Sequence, residues 1–390
     1  MAPAPSHSRL ERQPELDALR GLFLVWMTLT HLPTHFSDFM NSTFGFVSSA
    51  EGFVFISALL VGRLHIRLWM RDAAEARRRL WKRSLRIYGY HLVMLALAFT
   101  VAAAYAVHTH KAALYHLLNF YIAHPATAIA GSLLLLYCPP LLDILPMFVL
   151  FLLLTPLWLS LALRCGWRKV LAASGLVWLL AQFGLRRWTH HALVLVTHLR
   201  IPLQETGAFN LFAWQALWVL GLWLGARSAA PASPVRRVPG WVAALAWLVC
   251  LFFVGVRWGW LGSHWSRDAL STSLDKWHLG PLRMLNLAAF ALALYWLRNY
   301  LLQGVLIEPF LTLGKASLQV FCTHLVFVFL GLAFLTRDVN EDVGAPAEQL
   351  HGVWAAGWVA LTLAALILVA ARQVRKRKAK SGPQVQAAHR

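Results

Sequence analysis

Arg20 and His31 stand with ten residues between them in the first long apolar stretch of the chain. Eleven steps along an α-helix rise about 16 Å and make close to three full turns. Both side chains then share one helix face, about half a bilayer apart in depth. An imidazole held there is a candidate general base, and a guanidinium at the helix end is a candidate anion holder. A helix-end arginine and a core histidine bonded to a neighbour would show the same spacing, which leaves both readings open. Glu51 opens the second apolar stretch after a short link, so it returns near the depth of His31. Its carboxylate is a candidate to accept the imidazole Nδ1 proton and raise the ring's basicity. A helix-opening glutamate favoured by the dipole is the alternative. His31 and His35 lie four apart, but Pro33 disturbs the helix between them, and we expect no metal site.

Other ionisable groups near apolar stretches add to the set. Arg83 and Arg86 lie three apart behind Arg77, Arg78, Arg79 and Lys82. On one helical face they could grip phosphates in two-pronged fashion, although a cytoplasmic excess of basic residues would place them there as well. Asp143 precedes an apolar run and could cap it or touch a polar acceptor. His324 lies in the middle of another run, where it could serve chemistry or bond across helices. The chain shows no phosphate-binding P-loop, no GxSxG nucleophile elbow and no zinc signature.

The elements that must position these groups follow from composition. The 390 residues are 59% hydrophobic and only 13% charged, about half the charge of a soluble domain. Ten runs read as transmembrane helices: 20–36, 48–68, 87–107, 144–163, 170–184, 208–225, 241–256, 283–301, 316–335 and 352–371. The expected fold class is therefore an all-α, polytopic transmembrane bundle of about ten helices. Residues 1–19 form a short N-terminal segment, 20–371 the membrane domain and 372–390 a basic, irregular tail held to anionic lipid. The apolar run 128–137 is too short to cross and ends at Cys138-Pro139-Pro140, which suits a re-entrant or interfacial segment.

The net charge is +20, yet no soluble basic domain is present to bind nucleic acid. With the N-terminus inside, 27 of the 36 lysines and arginines fall on the inner side and nine on the outer. That split predicts two cytoplasmic termini and an even helix count. The acidic outer loop carrying Asp338, Glu341, Asp342 and Glu348 agrees. Outer loops are rich in His and Trp, among them His108, His190, Trp258, Trp260 and Trp265, which form an aromatic belt or a sugar-stacking platform. Four scattered cysteines suggest neither a metal site nor a disulfide framework.

Taken together, these residues resemble a known signature. The Arg-x10-His of the first helix, the Arg-x2-Arg of 83–86, Glu51-Gly-Phe-Val-Phe-Ile-Ser57 and Leu313-Gly-Lys-Ala-Ser317 leading to His324 are similar to the acyltransferase-3 membrane superfamily. Ala58 stands where that superfamily usually has Gly. A closer likeness is to the OpgC family of osmoregulated periplasmic glucan succinyltransferases. It rests on Glu15-Leu-Asp-Ala-Leu-Arg-Gly21, Leu142-Asp-Ile-Leu-Pro-Met147, Phe209-Asn-Leu-Phe-Ala-Trp-Gln215 and Gly280-Pro-Leu-Arg-Met-Leu-Asn286.

The resemblance implies a multi-pass protein of the bacterial inner membrane. It would move an acyl group, succinyl by likeness to OpgC, from cytoplasmic acyl-CoA to a hydroxyl of a periplasmic glucan. His31 would be the base or a transient acyl carrier, with Glu51 orienting it. Arg20, Arg83 and Arg86 would hold the CoA phosphates or thioester. Asp143, His324, Trp214 and Gln215 are the residues expected at the substrate. Acyl-CoA is expected as a co-substrate, with no permanently bound cofactor. The carboxylate of a succinyl group would need a cation, for which Lys276 and Arg283 are candidates. Acetylation of another surface polysaccharide, or transport without covalent chemistry, are the alternatives.

Overall fold

The computed structural model describes residues 14–198, 200–229, 238–262, 270–301, 307–334 and 350–386. The acidic loop at 338–348, Trp265, Arg236, Arg237, Arg267 and Arg337 lie outside them.

The described residues are helical nearly throughout, and an isolated bridge joins Thr34 to Leu350. In chain order the helices begin with α1 (Pro14–His31), α2 (Phe36–Ser42), α3 (Ser49–Arg71) and α4 (Ala73–Leu97). A π-helical turn (Ala98–Ala102) carries α4 into α5 (Ala103–Thr109). There follow α6 (Ala112–Ala123), α7 (Pro125–Leu133), α8 (Ile144–Cys165), α9 (Trp167–Gln182) and α10 (Leu185–Thr197). The remainder are α11 (Leu211–Ser228), α12 (Gly240–Arg257), α13 (Pro281–Leu301), α14 (Ile307–Lys315), α15 (Ser317–Phe334) and α16 (Gly352–Gln386).

Six helical runs among the described residues are long and apolar enough to cross a membrane: Ser49–Arg71, Ala73–Thr109, Ile144–Cys165, Gly240–Arg257, Ser317–Phe334 and Gly352–Arg377. The expected spans 20–36, 170–184, 208–225 and 283–301 fall on α1, α9, α11 and α13, which do not qualify by length and composition alone. Leu153, Leu154 and Leu157 of α8, Leu245, Leu248 and Leu251 of α12, and Leu361 and Leu368 of α16 are exposed. Apolar side chains in such numbers face hydrocarbon rather than water. The chain is an all-helical membrane protein.

Close helix crossings are made by glycines. On α11, a Cβ added to Gly225 would lie 2.0 Å from the Leu59 carbonyl oxygen of α3, and one on Gly62 would lie 2.3 Å from that of Leu222. On α14, a Cβ at Gly314 would lie 1.7 Å from the Asp17 carbonyl oxygen, and one at Gly21 of α1 would lie 1.9 Å from that of Phe310. Between apolar helices in lipid, such backbone contact supplies the dispersion that burial from water cannot.

Two segments, the end of α1 and the C-terminal tail, depart from the sequence expectation. Helix α1 stops at His31 instead of 36, because the chain must bend before Pro33. The run 128–137 is split between the end of α7 and irregular chain. The tail expected to be irregular from Arg372 continues α16 to Gln386, and Arg377 Nη1 donates to the Lys315 carbonyl at 2.8 Å. Extending an existing helix through Arg, Lys, Ala and Gln needs no new nucleus.

Candidate functional site

In the N-terminal half of α1, Arg20 is held by three groups. It donates to the Ser317 hydroxyl, its Nη1 lies 3.8 Å from the Asp17 carboxylate, and its guanidinium covers the Phe53 ring at 5.7 Å. The Gly314 contact sets the start of α15 beside α1, which is why Ser317 reaches Arg20. Arg83, on α4, is half-buried with Arg86 and His65 as its charged or titratable neighbours. Among the described residues no acceptor pairs with Arg83. Arg86 is exposed. A half-buried guanidinium without a counter-ion, next to a second one, suits a phosphate or another polyanion.

At the C-terminal end of α1, His31 faces His324 of α15. Their rings lie 5.8 Å apart between centroids at 29°, a stacked arrangement. α1 and α15 are thus joined twice, by the Arg20–Ser317 contact and by the two histidines. The Phe321 ring meets His324 edge-on at 4.8 Å. His324 is fully buried, and neither of its nitrogens has a hydrogen-bond partner among the described residues. The Nδ1 of His31 is likewise buried and unbonded. Three imidazole nitrogens without partners in one contact are unusual, since buried polar groups are nearly always satisfied. They present a site for a hydroxyl or water that would bridge the rings.

The expected Glu51–His31 hydrogen bond is not formed. Glu51 is fully buried, and both its oxygens are taken. Oε1 accepts from Arg283 Nε at 2.5 Å. Oε2 accepts from the Ser48 backbone N–H at 2.8 Å and from the Ser48 hydroxyl. The physical reason is twofold. The first turn of α3 needs acceptors for its free N–H groups, and a buried carboxylate needs a full positive charge opposite. Arg283, 232 positions later in the chain, provides it.

The remaining expected residues have partners of their own. Asp143 stands at the N-cap position of α8 without a side-chain capping hydrogen bond, and its carboxylate accepts the Ala208 backbone N–H at 2.9 Å instead. Burial pushes its carboxyl up to about 6, against the Ala208 hydrogen bond and the charge of Lys276. Trp214 is fully buried, and its indole N–H donates to the Trp277 carbonyl at 3.1 Å. Gln215 exchanges hydrogen bonds with Ser174, at 2.8 Å each. Trp214 and Gln215 therefore fasten α11 to its surroundings and offer no free face to a glycan. Lys276 is half-buried, and its ammonium lies over the Trp277 ring at 4.8 Å. Burial holds its pKa below the usual lysine value. Among the described residues, no three His, Cys, Asp or Glu side chains gather as a metal site would require.

Sequence reasoning passed over Ser317 and His91. Ser317 lay inside a recognised motif but carried no assigned partner. His91, on α4, is fully buried with both nitrogens unbonded among the described residues, and no spacing pattern singles it out.

A sequence-family model described as OpgC protein matches residues 12–379, nearly the whole chain. Neither the curated proteins nor the solved structures compared with the chain match it.

Proposed function

The chain belongs to the OpgC family, and from that premise we propose that it is a succinyltransferase of the bacterial inner membrane, acting on a periplasmic glucan with cytoplasmic acyl-CoA as donor. The observation that carries this reading is the His31–His324 contact, placed on the same pair of helices that grip Arg20 at the other end. A base and an anion-holding mouth, on one helix at different depths, suit a donor and an acceptor arriving from opposite faces.

In this mechanism Arg83 and Arg86 take the CoA phosphates, and Arg20 stands where the thioester arm passes α1. A ring nitrogen of His31 removes the proton from an acceptor hydroxyl. The oxygen attacks the thioester carbonyl, the C–S bond breaks, and the CoA thiolate leaves and recovers a proton. The products are a glucan ester and free CoA. A positioned base of this kind is worth roughly 10²- to 10⁴-fold. His324 stacks on the imidazole and limits its rotation. Glu51 acts at one remove, by holding Arg283 and the start of α3. Asp143, Trp214 and Gln215 brace the outer loops around the acceptor.

Mass spectrometry of periplasmic glucans, from cells with and without the protein, tests the reading. Succinyl increments that vanish with His31→Gln, while the variant still accumulates in the membrane, are the expected result. Acetyl increments would change the donor. No increment at all would turn the reading toward transport.

A further inference from the structure

The segment between α12 and α13 ends in a turn, residues 274–280, that is fastened from several sides. Arg283 Nη1 donates to the Leu274 carbonyl at 3.2 Å. Asn210 N–H and the Trp214 indole both donate to the Trp277 carbonyl, at 3.0 and 3.1 Å. Gln182 reaches the His278 carbonyl at 2.8 Å, and the Trp178 indole reaches that of Leu279 at 3.0 Å. Leu279 is fully buried with φ of 47°, a backbone region that leucine rarely adopts. Such a conformation persists only where its surroundings over-determine it. The fold therefore holds this turn in one shape, and Lys276 is presented from it.

The turn that presents Lys276 is tied to Glu51 through Arg283, which holds both the Leu274 carbonyl and the Glu51 carboxylate, and the charge of Lys276 bears on His31, Glu51 and Asp143. Neither carboxylate closes an ion pair with it. Glu51 is committed to Arg283 and Ser48, and Asp143 accepts from Ala208. Among the described residues Lys276 has no hydrogen bond or salt bridge. A half-buried ammonium without a counter-ion is costly, and the cost falls when a bound ligand brings a full negative charge.

We propose that Lys276 is the specificity-determining residue for the transferred group, receiving the free carboxylate of a dicarboxylic acyl thioester while His31 serves its other end. Arg283, the neighbouring cation in the first turn of α13, is already paired with Glu51 and is not available for this role. The assignment rests on the acyl-transfer reading above. In a four-carbon diacid the carboxylate lies about 4–5 Å from the thioester carbonyl, three C–C bonds away. A permanent carboxylate offsets the ammonium in the bound donor and through the reaction. The oxyanion of the transition state would leave it unpaired in every stable state.

The test uses the full chain in lipid nanodiscs, with a periplasmic glucan acceptor and three donors: succinyl-CoA, its uncharged four-carbon analogue butyryl-CoA, and acetyl-CoA. We expect the wild type to prefer succinyl-CoA in kcat/KM. Lys276→Met should reduce the succinyl-over-butyryl preference roughly ten- to a hundredfold, as for a lost hydrogen bond to a charged group. Lys276→Arg, which keeps the charge, should retain most of the preference. Thermal stabilisation of the wild type by succinyl-CoA over butyryl-CoA supplies the same comparison without a variant. A wild type with no preference, or a Lys276→Met variant that loses all donors equally, overturns the assignment alone. Transfer of no acyl group by the wild type overturns the acyl-transfer reading and this assignment together.

Discussion

Glu51 shows how one residue can be tied to an active site through its neighbours rather than by direct contact. Its carboxylate is buried between a helix start and the guanidinium of Arg283. Removing one partner of a buried pair leaves the other charged and desolvated, at a cost of about 3–5 kcal/mol. Glu51→Leu and Arg283→Met should each lower the thermal midpoint in detergent strongly. The double variant should recover part of that loss, because the apolar pair leaves no stranded charge. Losses that simply add would argue against this pairing. His31 belongs to a different class. Its ring rests on His324, and nothing in the packing of α1 requires an imidazole there, so its replacement should cost turnover with far less stability.

Between helices, the decisive feature is how closely backbones approach. Gly225 sets the crossing of α11 on α3, and the α11 segment carries Trp214, which in turn holds the turn of Lys276. A methyl group added at Gly225 would overlap the Leu59 carbonyl oxygen. Overpacking of this kind costs roughly 1–3 kcal/mol or more, and the strain would be passed to the turn of Lys276. Gly175, in α9, is exposed and meets nothing within 4 Å. Thermal unfolding of the two variants should therefore differ in sign. Gly225→Ala should be destabilised, while Gly175→Ala should gain about 0.5–1 kcal/mol from the lost backbone freedom of glycine. If both behave alike, the close crossing is not what holds α3 and α11 together.

For the molecule as a whole, orientation decides which substrate meets which end of α1. The net charge of +20 and the 27-to-9 division of basic residues predict that Arg20, Arg83 and Arg86 lie on the cytoplasmic side. Dual reporter fusions offer a direct measurement. Alkaline phosphatase joined after residue 390 should be inactive and green fluorescence from the same position bright. Fusions within the loop at 258–262 should give the reverse. Phosphatase activity at the C-terminus would invert the assignment of donor and acceptor faces.

Much of this protein could be read without coordinates. Long uncharged runs cannot be accommodated in water, so hydropathy alone identifies a helical membrane protein. A helix has a fixed rise and twist, so the spacing of Arg20 and His31 on one face followed from counting. Residue order across the chain pointed to the OpgC family. Contacts between distant segments were beyond that reach. The pairing of Glu51 with Arg283, the stacking of His31 on His324 and the Arg20–Ser317 contact each join residues more than 200 positions apart. Which cation remains unpaired depends on which acceptors others have already taken. That left Arg283 and Lys276 equivalent in the sequence, and the fold alone separated them.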